Sequence, residues 1–275
     1  MNILLPKHLI NIGLILFGLF LVYSYIESRW IKITEVEIKS ADIPDSFKGA
    51  KIVFISDIHL GPYLTAGRLS RIVDQINAIH PDLILLGGDY VHYNTRYVKP
   101  VFQELGKLRS PCGVYAVLGN HDNYAGADYT KKMMLKNGIN ICDNQSYWVK
   151  KGKDSIKIGG VGDLWEETQA PENTFKGLKK SDFAILMTHN PDYLENMQTD
   201  LIDLTLSGHT HGGQVTFFGL WAPILPSEFG QKYRYGLIDS GNMKSYITSG
   251  IGTVTVPLRF FCRPEIVVLT LKKIN

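Results

Sequence analysis

The chain has 275 residues, with 29 Lys and Arg against 26 Asp and Glu, a formal net charge of +3. That length suits one large α/β domain plus an appendage, and the charge is too slight to imply nucleic acid as a partner. An apolar fraction of 45% excludes a disordered chain, while Cys112, Cys142 and Cys262, odd in number, widely spaced and without C-x-x-C, suggest neither a disulfide framework nor a structural zinc site.

The first predicted element is apolar. Leu9 to Ile26 is 18 residues without a charge, as a helix roughly 27 Å long against a hydrocarbon core of about 30 Å. Tyr23, Tyr25 and Trp30 fall where interfacial aromatics sit. No small-x-small cleavage site follows in Tyr25-Ile26-Glu27-Ser28-Arg29-Trp30, so an uncleaved single-pass anchor is expected over residues 1–30, with the folded domain in 31–275. Lys7 precedes the span, and Arg29, Lys32 and Lys39 follow it, which leans the domain to the cytoplasmic face of a bacterial inner membrane.

Ile31 to Lys39 alternates apolar and polar residues and predicts a strand. Lys51 to Ser56 is a buried strand. Gly67 to Ile79 has helical spacing and stops at His80-Pro81, an exposed turn. Leu83 to Leu86 predicts a second buried strand, Val98 to Leu108 a helix, and Val114 to Leu118 a third strand. Asp128 to Lys136 predicts a helix before Gly138, and Ile141 to Val161 short strands with turns at Gly152 and Asp154. Phe183 to Met187 and Leu201 to Leu206 are further buried strands. Tyr246 to Thr248 and Ile266 to Leu271 close the series. Strands alternating with helices indicate a largely parallel sheet, and the strand-rich second half a second, mixed one.

Five of these strands end in polar clusters: Asp57-Ile58-His59, Gly87-Gly88-Asp89, Gly119-Asn120-His121-Asp122, Thr188-His189-Asn190 and Gly208-His209-Thr210-His211. Ligands of open α/β sheets gather beyond the carboxyl ends of strands. In an extended segment residues two apart point to one side, so Asp57 with His59, and His209 with His211, can each reach a single locus. Five of the eight histidines fall in these loops. Asp57, His59, Asp89, Asn120, His189, His209 and His211 are the candidate metal ligands. Mixed carboxylate and imidazole donors suit manganese, iron or zinc, and seven ligands fit two ions sharing one carboxylate rather than one tetrahedral site.

In this order the motifs D-x-H, G-G-D, G-N-H-D, a lone His after a strand and G-H-T-H resemble the calcineurin-like metallophosphoesterase superfamily, over roughly Lys51 to Gln214. The resemblance implies a four-layer α/β/β/α sandwich of two mixed sheets with a dinuclear centre, manganese favoured. Asp57, His59 and His211 would hold one ion, Asn120, His189 and His209 the other, and Asp89 would bridge them. A metal-bound hydroxide would hydrolyse a phosphodiester or pyrophosphate bond. His121 would act as a non-ligand, giving a proton to the leaving oxygen or a hydrogen bond to the phosphoryl group, with Asp122 orienting its imidazole.

Gly212-Gly213-Gln214, Pro226, Tyr235-Gly236, Gly250-Ile251-Gly252 and Pro257-Leu258-Arg259 further resemble a bacterial branch with an N-terminal membrane segment or export signal. That branch includes membrane-associated phosphodiesterases and a chlamydial-type UDP-2,3-diacylglucosamine pyrophosphatase of lipid A synthesis. Because an anchor would hold the enzyme at the envelope surface, an envelope or lipid-linked phosphoester is the expected substrate, with UDP-2,3-diacylglucosamine its sharpest version. A broad-specificity phosphatase and a non-catalytic metal-binding scaffold are the other readings. His92 reads as a loop residue in preference to a pocket-lining one. Asp163 and Trp165 are balanced between substrate contact and surface loop. The apolar run Phe218 to Phe229 is balanced between an acyl-chain site and core.

Overall fold

In a computed structural model, residues 7–197, 199–239 and 243–274 are described. Residues 1–6 of the expected anchor unit, and 275 of the domain, lie outside them. Two six-stranded sheets pack face to face. The first has the order β1-β12-β2-β3-β4-β5, formed by β1 (Lys32–Ser40), β12 (Glu265–Lys273), β2 (Lys51–Ile55), β3 (Leu83–Leu86), β4 (Val114–Ala116) and β5 (Ile139–Ile141). The second has the order β10-β11-β9-β8-β7-β6, formed by β10 (Gly236–Asp239), β11 (Lys244–Ile247), β9 (Leu204–Ser207), β8 (Ala184–Met187), β7 (Asp154–Gly160) and β6 (Ser146–Lys151).

Strands β2 to β5 run parallel, as do β7, β8, β9 and β11. The antiparallel pairings fall at β2–β12, β6–β7 and β10–β11. Parallel strands need both faces covered, and all four residues of β3, β8 and β9 are buried, Thr205 and Ser207 of β9 included.

Between the sheets lie Ile52, Phe54, Leu83 and Leu85 from one side and Ile158, Ile185, Met187 and Leu206 from the other. The outer face of the first sheet is covered by α2 (Ala66–Ala78), α3 (Val98–Leu105) and α4 (Asn120–Lys136), through side chains such as Leu69, Ile76, Phe102 and Met134. The outer face of the second sheet packs against Tyr193, Ile202 and Phe175. Its helical cover is thin: α5 (Glu172–Phe175) and a six-residue 3-10 turn at Pro191–Asn196. The expected α/β/β/α layering holds, with a reduced fourth layer.

Several elements differ from expectation in their bounds. Helix α4 starts at Asn120, eight residues before Asp128, because Asp122 caps its own first turn by accepting the Gly119 N–H (3.0 Å) and Gly126, at φ 116°, kinks the helix where the pattern suggested a loop. Helix α3 stops at Leu105 rather than Leu108. Strand β10 alternates half-buried and exposed residues at a sheet edge and carried no apolar signal.

Helix α1 (Lys7–Glu27) stands apart. It is the one described helix long and apolar enough to cross a membrane, and the protein buries only Ser24 and Glu27 of it. Its carboxyl end is tied into the fold. The Glu27 carboxylate accepts the N–H groups of Phe261 (2.9 Å) and Cys262 (2.6 Å), and the Ser24 carbonyl accepts the Arg259 N–H (3.0 Å). Because Lys32 pairs with Glu265 and Val267 pairs with Phe54 near the end of β2, α1 enters at the carboxyl edge of β2.

Candidate metal centre

That same edge carries the polar loops. Asp57 and His59 follow β2, Asp89 follows β3, Asn120 and His121 open α4 after β4, His189 follows β8, and His209 and His211 follow β9. All eight side chains are buried. The structure therefore groups the six Asp and His candidates read from the sequence, with Asn120 opening α4 at the same edge.

The donor atoms converge in two groups that share Asp89. In one, His59 Nε2 and His211 Nε2 are 3.0 Å apart, His211 Nε2 is 3.4 Å from Asp57 Oδ1, and His59 Nε2 is 3.5 Å from Asp89 Oδ2. In the other, His189 Nε2 is 3.3 Å from Asp89 Oδ2 and 3.3 Å from His209 Nδ1. Atoms bound to one ion at about 2.1 Å stand roughly 3.0–3.4 Å from each other, so these spacings are those of ligands around a cation. Asn120 Oδ1 is buried with no hydrogen-bond partner, a neutral oxygen available to the same site. His189 Nδ1 lies 2.7 Å from the Gly87 carbonyl oxygen, an arrangement that fixes its tautomer and aims Nε2 inward. The residues present fit two divalent ions.

The backbone explains how short loops achieve this. Asp57, His59, Asp89, His209 and His211 all have left-handed φ, between 48° and 68°. The segment is not extended as its sequence predicts: Thr210 is helical (φ −75°, ψ −13°) between two left-handed histidines. The side chains converge because the chain turns back on itself at each strand end. Non-glycine residues in this region cost about 1–3 kcal/mol each and persist where the surroundings over-determine them. Here the surroundings are hydrogen bonds. Asp57 N–H donates to the Gly88 carbonyl and His59 N–H to the Asp89 carbonyl (2.9 Å each), and both Asp57 oxygens accept the His209 N–H (3.0 and 3.1 Å). A methyl group on Gly119 would overlap Asp89 Oδ1, and one on Gly208 would overlap Asp57 Oδ2, so both sites require glycine for close approach.

Burial sets the protonation states. It holds His59 and His211 well below the usual histidine range and brings His209 down to about 3. All three are therefore neutral, the form that ligates. His189 is the exception: burial opposes its charge, but the Asp89 carboxylate beside it, with Asp57 and Asp163, pushes it well above the ordinary value. Without a cation the proton on His189 balances these acids.

His121 is not among the closest donors. Its Nε2 is 3.9 Å from Asp89 Oδ2 and its backbone N–H donates to Asp89 Oδ1 (2.9 Å). Its Nδ1 has no partner, so the expected orienting bond from Asp122 is not formed. The Asp122 oxygens are taken by the N–H groups of Asp89 (2.7 Å), Tyr90 (2.9 Å) and Gly119 (3.0 Å), because Asp122 is the third residue of α4 and faces back along the loop. Asp122 positions the Asp89 loop. The His121 ring is held instead by Tyr93, with ring centroids 3.8 Å apart.

Four further residues belong here. His92 groups with His59 and His121, their nearest ring nitrogens within 4.8 Å of one another, which places it at the rim of the site rather than in a remote loop. Trp165 meets the His209 ring edge-on at 4.4 Å, and the buried Asp163 accepts the Trp165 N–H (3.0 Å). Arg259, fully buried, donates to the carbonyls of Ser249 (2.6 Å), Gly252 (2.7 Å), Cys262 (3.1 Å) and His211 (3.3 Å). It ties the His211 loop to the segment that holds α1. Tyr93 and Arg259 carried no spacing signal in the sequence beyond the branch motif around Pro257.

Comparison with known proteins agrees with this geometry. Residues 50–213 match the family model described as calcineurin-like phosphoesterase. The chain is 37% identical over 258 residues to the uncharacterized metallophosphoesterase YkuE of Bacillus subtilis, covering 91% of this chain and 89% of that protein. It is 30% identical over 252 residues to the phosphodiesterase YaeI of Escherichia coli, covering 90% of each. A zebrafish (Danio rerio) relative described as a transmembrane protein with metallophosphoesterase domain is 29% identical, over 95% of this chain and 62% of that protein. The fold resembles that of the NAD nucleotidase of Haemophilus influenzae, with a TM-score of 0.50 at 14% identity, over 74% of this chain and 45% of that one. This chain belongs to the calcineurin-like phosphoesterase family and is a metal-dependent phosphoester hydrolase.

Proposed function

We propose that the protein is a membrane-anchored dimetal hydrolase that cleaves a phosphodiester or pyrophosphate bond in a lipid-linked substrate at the cytoplasmic face of a bacterial inner membrane. The observation that carries the dimetal reading is the pair of donor groups sharing Asp89. Asp57, His59 and His211 would hold one ion, Asn120, His189 and His209 the other. Two such ions supply Lewis acidity and a water-derived nucleophile at neutral pH. Manganese is the first candidate, on the mixed carboxylate and imidazole donor set.

The chain's own residues then divide the remaining work. Burial lowers the His121 pKa below the usual histidine range, so at neutral pH the ring carries one proton. It serves as a hydrogen-bond donor to the phosphoryl group or leaving oxygen rather than as a cationic acid. Asp122 keeps the Asp89 loop in place, and Trp165 walls the His209 side. Beside His211 lies a mostly apolar cavity of about 220 Å³, lined also by Pro223, Ile224, Pro226, Val254 and Val256. An apolar substituent on the substrate phosphate would fit there, which supports a lipid-linked ester. The membrane reading rests on α1, about 31 Å long at 1.5 Å per residue and left largely uncovered by the protein.

The test compares a generic aryl phosphodiester with UDP-2,3-diacylglucosamine, with manganese, for wild type and Asp89→Ala. Metal-dependent cleavage of either ester, lost in the variant, is expected. Faster cleavage of the lipid nucleotide would identify that pyrophosphate as substrate. Cleavage of the aryl ester alone would discard the lipid-linked reading, and silence on both, with metal bound, would return the chain to a scaffold.

A further inference from the structure

We propose that the loop over residues 215–224 is a second membrane contact, docked in the interfacial layer of the bilayer beside α1. The proposal rests on the reading of α1 as a membrane span.

The loop is apolar and uncovered. Phe217, Phe218 and Trp221 are exposed, and Leu220 and Ile224 are 81% and 80% accessible. The sequence left this run balanced between core and ligand contact; it packs in neither core. A contiguous patch of this kind marks an interaction surface.

Its position relative to α1 decides what covers it. The Phe218 ring lies 5.2 Å from Phe261, Phe261 lies 6.0 Å from Tyr23, and Phe260 lies 5.5 Å from Tyr23 and 4.8 Å from Phe20. Tyr23 and Phe20 are inside the apolar span. If the span ends near Ile26, they sit about 5 and 9 Å within it, at 1.5 Å per residue. The loop, which reaches them through Phe261, is then near the depth of interfacial segments, about 5–10 Å into the headgroup and acyl boundary.

The backbone suits that depth. Irregular chain is tolerated near hydrocarbon only where its polar groups are satisfied internally. Thr216 N–H donates to the Phe260 carbonyl (3.0 Å), Phe217 N–H to the Trp221 carbonyl (2.6 Å), Gly219 N–H to Thr216 Oγ1 (2.9 Å) and Leu220 N–H to the Phe217 carbonyl (3.0 Å). The turn uses its own donors. Beside it, a cavity of about 270 Å³ is lined by Lys32, Arg234 and Arg263 together with Glu27 and Tyr23. Net positive charge at this level favours anionic headgroups. Docking here would hold the His211 cavity open toward the leaflet.

The experiment places an environment-sensitive fluorophore at Leu220→Cys in the full chain, in a Cys112→Ser background; Cys142 and Cys262 are buried and stay unlabelled. The protein is reconstituted in phosphatidylethanolamine and phosphatidylglycerol vesicles containing nitroxide lipids. A label at Lys107→Cys, which lies near Asn77 at the opposite sheet edge, is the reference. Resistance to carbonate extraction reports on α1 independently. The expected result is a blue-shifted Leu220 label, quenched several-fold more by shallow nitroxides than the Lys107 label. Leu220→Asp should raise KM several-fold for a vesicle-borne diester and leave a water-soluble diester unchanged. Equal quenching at the two positions in carbonate-resistant protein overturns the docking and keeps the anchor. Energy transfer between labelled copies, with no lipid quenching, overturns it in favour of a copy-to-copy interface. Extraction by carbonate overturns the anchor, and the docking falls with it.

Discussion

Replacing Arg259 with Met isolates the contribution of one buried cation to the metal centre. The guanidinium is completely buried and reaches five backbone carbonyls, those of Ser249, Gly250, Gly252, Cys262 and His211. Methionine fills most of the volume but donates nothing, so those carbonyls lose a donor without gaining water. An unsatisfied buried polar group costs about 1–3 kcal/mol, and removing one side of a buried charged network about 3–5 kcal/mol. The carbonyls share one segment and relax together, so the lower figures do not add in full. A total of ~3–5 kcal/mol, at roughly 2–4 °C per kcal/mol for a domain of this size, predicts a fall in Tm of about 6–20 °C. The loss should also be local. Arg259 holds the His211 carbonyl directly, and a Cβ on Gly250, whose neighbour Ser249 it binds, would lie 2.6 Å from the Asp57 Cβ. Metal affinity should therefore fall at the Asp57, His59 and His211 position and be retained at the Asp89, His189 and His209 position. Arg259→Lys, a single ammonium that cannot span the same carbonyls, should fall between. Thermal unfolding by calorimetry and manganese titration followed by electron paramagnetic resonance measure both effects. An Arg259→Met protein melting within about 2 °C of wild type, with both ions bound as before, would refute the role given to this side chain.

Gly119→Ala should lower kcat by about 100-fold, the order expected for a misplacement near 1 Å, because its methyl would displace Asp89 Oδ1; unchanged circular dichroism with full activity would contradict the close-approach argument. His121→Ala should reduce kcat about 10²–10³-fold, the range for losing one transition-state hydrogen bond, while bound metal measured by mass spectrometry stays at two ions; loss of an ion would make His121 a ligand. Burial pushes the Asp143 carboxyl up to about 7, although Lys131 lies 3.5 Å away. The folded state thus keeps a proton that the unfolded chain releases near pH ~3.9. Stability from this group is complete below the unfolded value and is lost as pH rises through about 7. Asp143→Asn removes that slope, so it should gain on wild type in urea midpoint between pH 5 and pH 8; a constant offset would refute the assignment.

What the sequence shows and what it hides follow from the range of the forces involved. Asp57, His59, Asp89, Asn120, His189, His209 and His211 could be found because each follows a short apolar strand, and parallel strands bring their carboxyl ends to one edge whatever the loops do. Extended geometry does not pair Asp57 with His59, since both residues are left-handed. The outcome survived because strand register, not loop conformation, sets which loops meet. Tyr93, Trp165 and His92 reach the site by contacts between loops from different strands, which no local pattern encodes. Arg259 is the sharper case. A lone arginine in a Pro-Leu-Arg stretch has the composition of a surface loop, and its burial becomes necessary only once the His211 turn and the Ser249–Gly252 turn each need a donor for carbonyls that no strand can pair. The same holds for Glu27. It looks like the first charge after an apolar span, yet its carboxylate is consumed by the Phe261 and Cys262 N–H groups. That bond fixes the end of α1 to the edge that carries the candidate metal ligands. A freely tethered helix has no physical need for a buried carboxylate at its last turn, so the position of Glu27 argues that the end of α1 is packed as part of the fold.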